Sequence, residues 1–334
     1  MDDNLSLLTQ ANAREILAAF KLDHLGRFRS VASWLARFPA RRLAHEMLRF
    51  DDLVGLHGLA AGGRYLLHEF TSTTRIEGQQ HVPRSGPILA VANHPGMVDA
   101  MAIWVALERR PDLKIIAADR DILRLIPNIR SRLLLVDPRT RCRTELLREA
   151  AAHLRQGGAL LTFPAGTIEP DPLVRAAVPL VGWSRSPELF VRLVPETVVL
   201  PIAVSGVISR AAHQHRIARR FADPKEREWA AATLQVMCRR FRDTQTRVLI
   251  GEPISPRQLS RWTTVHGIMA TLLARIIYPD NEDLSGGGEQ GPEAVHVDAL
   301  PHTSGSSMVA AGFARLRSAL TSRSSTFDPR TNTL

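Results

Sequence analysis

Two hydrophobic patterns divide the chain into a helical first part and an alternating second part. In residues 5–76, apolar residues recur at intervals of three and four, which is the spacing of one helix face. Pro39 and the pair Gly62-Gly63 interrupt this pattern, and both are typical helix breakers. The pattern therefore predicts an N-terminal helical region of about three helices over residues 1–77.

From residue 78 onward, short apolar runs alternate with helical stretches. The apolar runs predict buried strands at Ile88–Ala92, Leu113–Ala117, Leu133–Val136, Ala159–Phe163, Val198–Val204 and Val248–Ile250. Helices are predicted at Asp99–Glu108, Thr144–Gln156, Pro224–Arg242 and Ser255–Tyr278. This alternation indicates an α/β fold, with a mostly parallel central sheet flanked by helices over residues 78–280. Residues 281–334 are polar and are expected to be a mostly disordered tail, with one short helix at Met308–Leu320.

The chain is basic, with 43 Lys and Arg against 33 Asp and Glu, a net charge of +10. Such an excess favours polyanions: nucleic acid, anionic lipid headgroups or acidic carrier proteins. The arginines between the apolar positions of residues 5–76 fit a helix on an anionic membrane surface, and they equally fit a solvated face packed on the next domain. Because aromatic residues make up only 5% and no nucleic-acid module is recognisable, nucleic acid is not expected as a partner.

Several features bear on the compartment. The acidic N-terminus lacks the basic region of a signal peptide, and no apolar run is long enough for a transmembrane helix. Cys142 and Cys238 are far apart and have no metal-ligand spacing, which favours free thiols in a reducing compartment and predicts no metal site. We expect a cytoplasmic protein, peripheral on the inner face of the cell membrane.

The strongest chemical signal is the segment from Asn93 to Asp99, which follows one predicted strand and opens the next predicted helix. A histidine can take a proton from a hydroxyl near neutral pH, and a nearby carboxylate can hold its tautomer and stabilise the imidazolium. Of 12 histidines, only His94 has an aspartate five residues later. The alternative is that His94 caps the helix and Asp99 is an early helical acid near its dipole. The spacing alone does not decide between these interpretations.

Three further signals lie at or near predicted strands. Pro164, Gly166 and Thr167 form a turn after the fourth strand, whose backbone amides could hold a phosphate or an oxyanion, although an ordinary tight turn also fits. Arg139 and Arg141 follow the third strand and could bind phosphate, or could lie in a solvated turn. Pro201, inside an apolar run, indicates an edge strand or a strand start.

The order of these motifs resembles the glycerolipid acyltransferase superfamily, which includes lysophosphatidate acyltransferases. The resemblance covers residues 78–254 and rests on Asn-His-Pro-x-x-x-Asp, then an apolar strand ending in Asp with arginine just after it, then Phe-Pro-x-Gly-Thr, then a strand with an internal proline. It implies that His94 is the general base on an acceptor hydroxyl and that Asp99 orients it. It also implies substrate-binding roles for Asn93, Arg139, Arg141, Pro164, Gly166, Thr167 and Pro201.

The resemblance also implies the substrates. The donor would be acyl-CoA or acyl carrier protein, the acceptor a hydroxyl of a glycerolipid or other lyso-lipid, and the place an anionic membrane surface, with no metal or other cofactor. Members with phosphate-bearing acceptors commonly carry Phe-Pro-Glu-Gly-Thr-Arg, where this chain has Ala165 and Ile168. This difference favours the branch of ornithine-lipid and hemolysin-type acyltransferases. The alternative is a catalytically inactive relative that binds lipid.

Overall fold

The computed structural model describes residues 2–22, 29–96, 98–136, 143–175, 182–258, 262–277 and 295–296. Its helices are α1 (Asp2–Ala19), α2 (Arg29–His57), α3 (Leu59–Phe70), α4 (Asp99–Ala106), α5 (Pro127–Arg130), α6 (Arg143–Arg155), α7 (Ser186–Leu193), α8 (Arg210–Gln214), α9 (Pro224–Met237) and α10 (Trp262–Ile277). Its strands are β1 (Thr73–Glu77), β2 (Ile88–Ala92), β3 (Lys114–Ala118), β4 (Leu133–Val136), β5 (Ala159–Thr162), β6 (Val198–Ser205), β7 (Gln245–Ile250) and β8 (Val295–His296).

The strands form one sheet in the order β4-β3-β5-β2-β6-β7-β1-β8. From β4 to β6 all neighbours are parallel, whereas β7 is antiparallel to β6. β1 is parallel to β7, and the two-residue strand β8 is antiparallel to β1. The structure thus confirms the predicted α/β fold, with a mostly parallel sheet flanked by helices and an N-terminal helical region.

The sheet has a hydrophobic core on each face. Side chains of β2 alternate between them, because successive residues of a strand point to opposite faces. Ile88, Ala90 and Ala92 pack into the larger core, and Leu89 and Val91 into the smaller one. Helices α2, α3, α4 and α9 contribute to the larger core, and α6, α7 and α10 to the smaller. Because β2 is buried on both faces, all of its residues are apolar, which gives the continuous apolar run seen in the sequence.

The predicted breaks between the N-terminal helices are wrong. Pro39 lies inside α2. The carbonyl of Leu35, which loses its helical partner there, belongs to an exposed residue, so water can satisfy it. Gly62 and Gly63 lie inside α3 and are buried where neighbouring helices approach closely. α1 ends at Ala19, and α2 is separated from α3 by Gly58, whose φ of 84° suits glycine.

The helical prediction is also wrong at the end of this region, where Thr73–Glu77 form β1. Every β1 residue pairs with β7 in parallel, from Thr73 opposite Gln245 to Glu77 opposite Leu249. The exposed and buried positions of β1 alternate over only five residues, too short a pattern to stand out beside three helices. The N-terminal region therefore contributes a strand to the central sheet.

Pro201 does not lie at an edge, because β6 is flanked by β2 and β7. The carbonyl of Pro201 accepts a hydrogen bond from the Gly251 amide, so its nitrogen faces the same side. This position lies just beyond Ile250, the last residue of β7, where the ladder has ended. The missing N–H of proline therefore removes only the return bond to Gly251 at the end of the β6–β7 pairing, and the pairing of β6 with β2 is unaffected.

Among the helices that the structure describes, none is both long and apolar enough to cross a membrane. The predicted helix at Met308–Leu320 lies outside the described residues. So does the predicted tail, except for Val295–His296 in β8.

Candidate active site

The candidate site lies where the parallel strands β2, β5 and β6 end. β2 is paired with β5 on one side and with β6 on the other, so the loops that follow these strands are neighbours. His94 is the second residue after β2. In open α/β sheets, ligands bind outside the carboxyl ends of the strands. The topology therefore places His94 where a substrate would be expected.

His94 and Asp99 are in direct contact. The Nδ1 atom of His94 lies 2.6 Å from the Oδ2 atom of Asp99, and both side chains are buried. Asp99 is the first residue of α4 and also accepts hydrogen bonds from the amides of Gly96 and Ala100. Because Asp99 holds Nδ1, the imidazole presents Nε2 as the nitrogen that would take a proton from a substrate. The pair proposed from the sequence is thus brought together.

The electrostatics of His94 combine two opposing effects. Burial lowers the pKa of His94, but the charge and hydrogen bond of Asp99, together with the charge of Glu169, outweigh it. The positive charge of Arg120 acts in the lowering direction. The net pKa of His94 is raised above its ordinary value, so the surroundings favour the imidazolium that forms after proton transfer.

Asn93 links the loop that carries His94 to β6, the neighbour of β2 in the sheet. Its Nδ2 donates to the Val204 carbonyl and its Oδ1 accepts from the Val204 amide, each at 2.8 Å. Asn93 is fully buried. These two bonds occupy both ends of its side-chain amide and fix the loop after β2 against β6. A direct contact of Asn93 with substrate stays a prediction.

The turn after β5 reaches the histidine. The Phe163 ring stacks on the His94 ring with a centroid distance of 4.5 Å. Pro164 is buried, and its carbonyl accepts from the Ser184 amide. Gly166 is exposed with a φ of 62°, and its amide donates to the Phe163 carbonyl within the turn. Thr167 is half-buried. The second motif therefore lies beside the first, as the topology requires.

Glu169 is a site residue that the sequence analysis missed. Its Oε2 accepts from the His94 amide at 2.8 Å, and its own amide donates to the His94 carbonyl at 2.8 Å. Its Oε1 accepts from the Trp183 ring nitrogen at 2.8 Å. Burial raises the pKa of Glu169 to about 7, although hydrogen bonds from Trp183 and His94 oppose the rise. No short motif contains Glu169 and His94, which lie 75 positions apart.

Three predicted site residues remain: Arg139, Arg141 and Pro201. Arg139 and Arg141 lie outside the described residues. Pro201 is buried in β6 opposite Val91, three positions before His94 in the β2 register. Arg120, which follows β3, acts on His94 through its positive charge, which lowers the pKa of the imidazole. In the described part of the chain, no three His, Cys, Asp or Glu side chains converge as a metal site would require.

A family comparison matches the part of the chain that contains this site. An acyltransferase family model matches residues 73–205, which run from the start of β1 to the end of β6 and include His94, Asp99 and Glu169. The chain is thus similar to acyltransferases over residues 73–205, in line with the motifs.

Among solved structures, the chain is similar to the 1-acyl-sn-glycerophosphate (LPA) acyltransferase PlsC from Thermotoga maritima. The two are 20% identical, with 84% of this chain and 97% of that chain covered and a TM-score of 0.42. A comparison with curated proteins gave no match.

Proposed function

We propose that the protein moves a fatty acyl group from a thioester, acyl-CoA or acyl carrier protein, to a lipid hydroxyl at the anionic inner surface of the cell membrane. The observation that carries this proposal is the buried contact of 2.6 Å between His94 and Asp99 at the carboxyl end of the sheet. The acyltransferase family match over residues 73–205 supports the class of reaction.

The proposed reaction uses His94 as a general base. Its Nε2 takes the proton of the acceptor hydroxyl while the hydroxyl oxygen attacks the thioester carbonyl carbon. The carbon–sulfur bond then breaks, and the imidazolium returns the proton to the leaving thiolate, so an ester and a free thiol are formed. Asp99 stabilises the imidazolium, as a carboxylate does in hydrolase triads.

The negative charge that develops on the thioester carbonyl oxygen needs a hydrogen-bond donor. The turn after β5 is our candidate, because Phe163 at its start contacts the His94 ring. The Gly166 amide is engaged within that turn, so we propose the Thr167 amide for this role. No metal or other cofactor takes part in the proposed reaction.

The proposed acceptor is a glycerolipid or other lyso-lipid rather than a small phosphorylated alcohol. Ile168 stands where related enzymes with phosphate-bearing acceptors carry an arginine, and an apolar side chain cannot pair with a phosphate. This argument supports the ornithine-lipid and hemolysin-type branch. Arg139 and Arg141 remain proposed substrate contacts, as the motif order implies.

The deciding experiment follows thiol release from palmitoyl-CoA and from palmitoyl carrier protein. Acceptors would be lyso-ornithine lipid, lysophosphatidate and glycerol-3-phosphate, presented with anionic vesicles. The wild type should release thiol with a lyso-lipid, and His94→Ala should lower the rate by about a thousandfold, because general-base catalysis contributes on the order of 10²–10⁴. Circular dichroism checks that the variant is folded.

His57→Ala is the matched control, because His57 is an exposed histidine at the end of α2. It should leave the rate unchanged. A fully active His94→Ala protein would contradict the proposed mechanism. Vesicle binding without thiol release from either donor would favour the alternative, a catalytically inactive relative that binds lipid.

A further inference from the structure

Glu169 holds the peptide groups on both sides of His94. Its side chain accepts from the His94 amide, and its backbone amide donates to the His94 carbonyl, each at 2.8 Å. The loop after β5 is thereby fastened to the loop after β2 at the residue proposed to do the chemistry. Because both its amide and its carbonyl are held, the backbone of His94 is fixed, and its Cα–Cβ bond points in one direction.

The second oxygen of Glu169 is held from the opposite side. Trp183, which is buried, donates from its ring nitrogen to Oε1 at 2.8 Å. Each carboxylate oxygen thus accepts from a nitrogen donor, and these two bonds favour the ionised form against the burial that raises the pKa of Glu169 to about 7. A glutamine has one acceptor oxygen and one NH₂ group. In either orientation its NH₂ group would face an N–H donor, that of His94 or that of Trp183.

Glu169 differs in this respect from the other buried carboxylate of its loop. Asp171 accepts from the amides of Gly206, Val207 and Ile208 and holds the loop after β6. Those bonds shape the backbone but do not touch His94. The carboxylate of Glu169, in contrast, contacts His94, and its charge raises the pKa of the His94 imidazole.

We propose that Glu169 is a positioning residue, whose carboxylate fixes the backbone of His94 so that the imidazole meets the substrate hydroxyl in one orientation. The proposal rests on the acyl transfer proposed for His94. Glu169 itself contacts no reacting atom, since its bonds are to the His94 backbone and to Trp183. Its loss should therefore affect the rate of the chemical step more than the binding of either substrate.

The test is Glu169→Gln, with kinetics and NMR titration of the His94 ring. We expect kcat to fall about 10- to 100-fold, the range seen when supporting residues of a site are changed, with both KM values within about twofold. The pKa of His94 should also fall, because a neutral side chain replaces a negative charge beside it. Glu169→Asp keeps the charge, so the pKa of His94 should stay close to that of the wild type.

The pH readout depends on the charged groups that act on His94 and Glu169. Asp99 and Glu169 raise the pKa of His94 and Arg120 lowers it, while His94 and Asp99 act on Glu169. Glu228→Gln is the matched control, because Glu228 is another buried carboxylate whose pKa burial raises to about 7. Its ion-pair partner is Arg175 rather than His94. This variant should leave both kcat and the His94 pKa unchanged.

Wild-type kcat and an unshifted His94 pKa in Glu169→Gln would overturn the proposal, as would an equal loss in Glu228→Gln. If Glu169→Gln does not fold, Trp183→Phe replaces it. That change keeps an aromatic ring and removes the donor to Oε1, so kcat should fall with unchanged KM values, and an unchanged kcat would count against the proposal. A wild type without acyl transfer would contradict the proposed function instead, and the NMR titration would still decide whether Glu169 acts on His94.

Discussion

At the scale of single residues, the His94–Asp99 contact could be predicted because it is local. Five positions separate the two residues, and a strand end followed by a helix start brings them together. The contact of His94 with Glu169 spans 75 positions and depends on which strands are neighbours in the sheet. The motif comparison directed attention to Ala165 and Ile168, whereas Glu169 lies just beyond that motif and carries the second buried carboxylate of the site.

Asp99→Asn tests the local pair. The raised pKa of His94 means that the neutral base forms only at a pH above the ordinary histidine value, so kcat/KM of the wild type should rise with pH through that raised pKa. An asparagine removes the charge that raises the pKa, so the rising limb should move to lower pH. It also no longer stabilises the imidazolium, and kcat should fall by about 10²–10⁴.

The measurement is a pH–rate profile of thiol release for both proteins between about pH 5.5 and 9, a range that brackets the ordinary histidine pKa of about 6.5. A rising limb at the same pH in both proteins would show that Asp99 does not control the ionisation of His94. Circular dichroism of Asp99→Asn over the same pH range separates this outcome from unfolding.

At the scale of elements, apolar runs located six strands, and glycine and proline misled the prediction of the N-terminal helices. The strands could be predicted because a run buried on both faces leaves a continuous apolar signal. The glycines in α3 could not be distinguished from helix breakers, because their role depends on neighbours distant in sequence. Gly63 lies against α4, which begins with Asp99 and is thus part of the site's support.

Gly63→Ala tests this close approach. A Cβ atom at Gly63 would lie 2.8 Å from the Met101 carbonyl oxygen and 3.2 Å from Val105 Cγ2. Because α4 would have to shift, the free energy of unfolding should fall by about 1–3 kcal/mol. Urea denaturation measures this change.

Gly267→Ala is the matched control within a helix. Gly267 is exposed in α10, and a Cβ atom there would meet nothing within 4 Å. Alanine should therefore raise the free energy of unfolding by up to about 1 kcal/mol, through helix propensity alone. If Gly63→Ala also stabilised the protein, the helices would not be as closely packed as the glycine indicates.

At the scale of the whole molecule, the two faces of the sheet are covered differently. α2, on the side of the larger core, has an exposed apolar stripe of residues spaced by three and four, Val31, Trp34, Leu35 and Phe38, each more than half exposed. A groove between α1 and α2 is lined by basic side chains that include Arg14, Arg37 and Arg41. Composition predicted a basic helical surface, but the position of its apolar residues required the fold. Exposed aromatic residues beside arginine suit the interface of an anionic membrane.

The membrane surface proposed above therefore predicts that α2 carries vesicle binding. The double variant Trp34→Ser/Phe38→Ser should weaken binding to vesicles containing phosphatidylglycerol by at least about tenfold, because each large apolar side chain contributes on the order of 1.5–3 kcal/mol when buried. Arg37→Gln/Arg41→Gln should weaken it as well, and only for anionic vesicles, since each cation near such a surface contributes about 1 kcal/mol. Leu189→Ser is the control, an exposed leucine on α7 beside the smaller core, and it should bind like the wild type. Sedimentation with vesicles at low and high salt measures all four proteins. Equal binding by the wild type and the Trp34→Ser/Phe38→Ser variant would place the membrane contact elsewhere on the molecule.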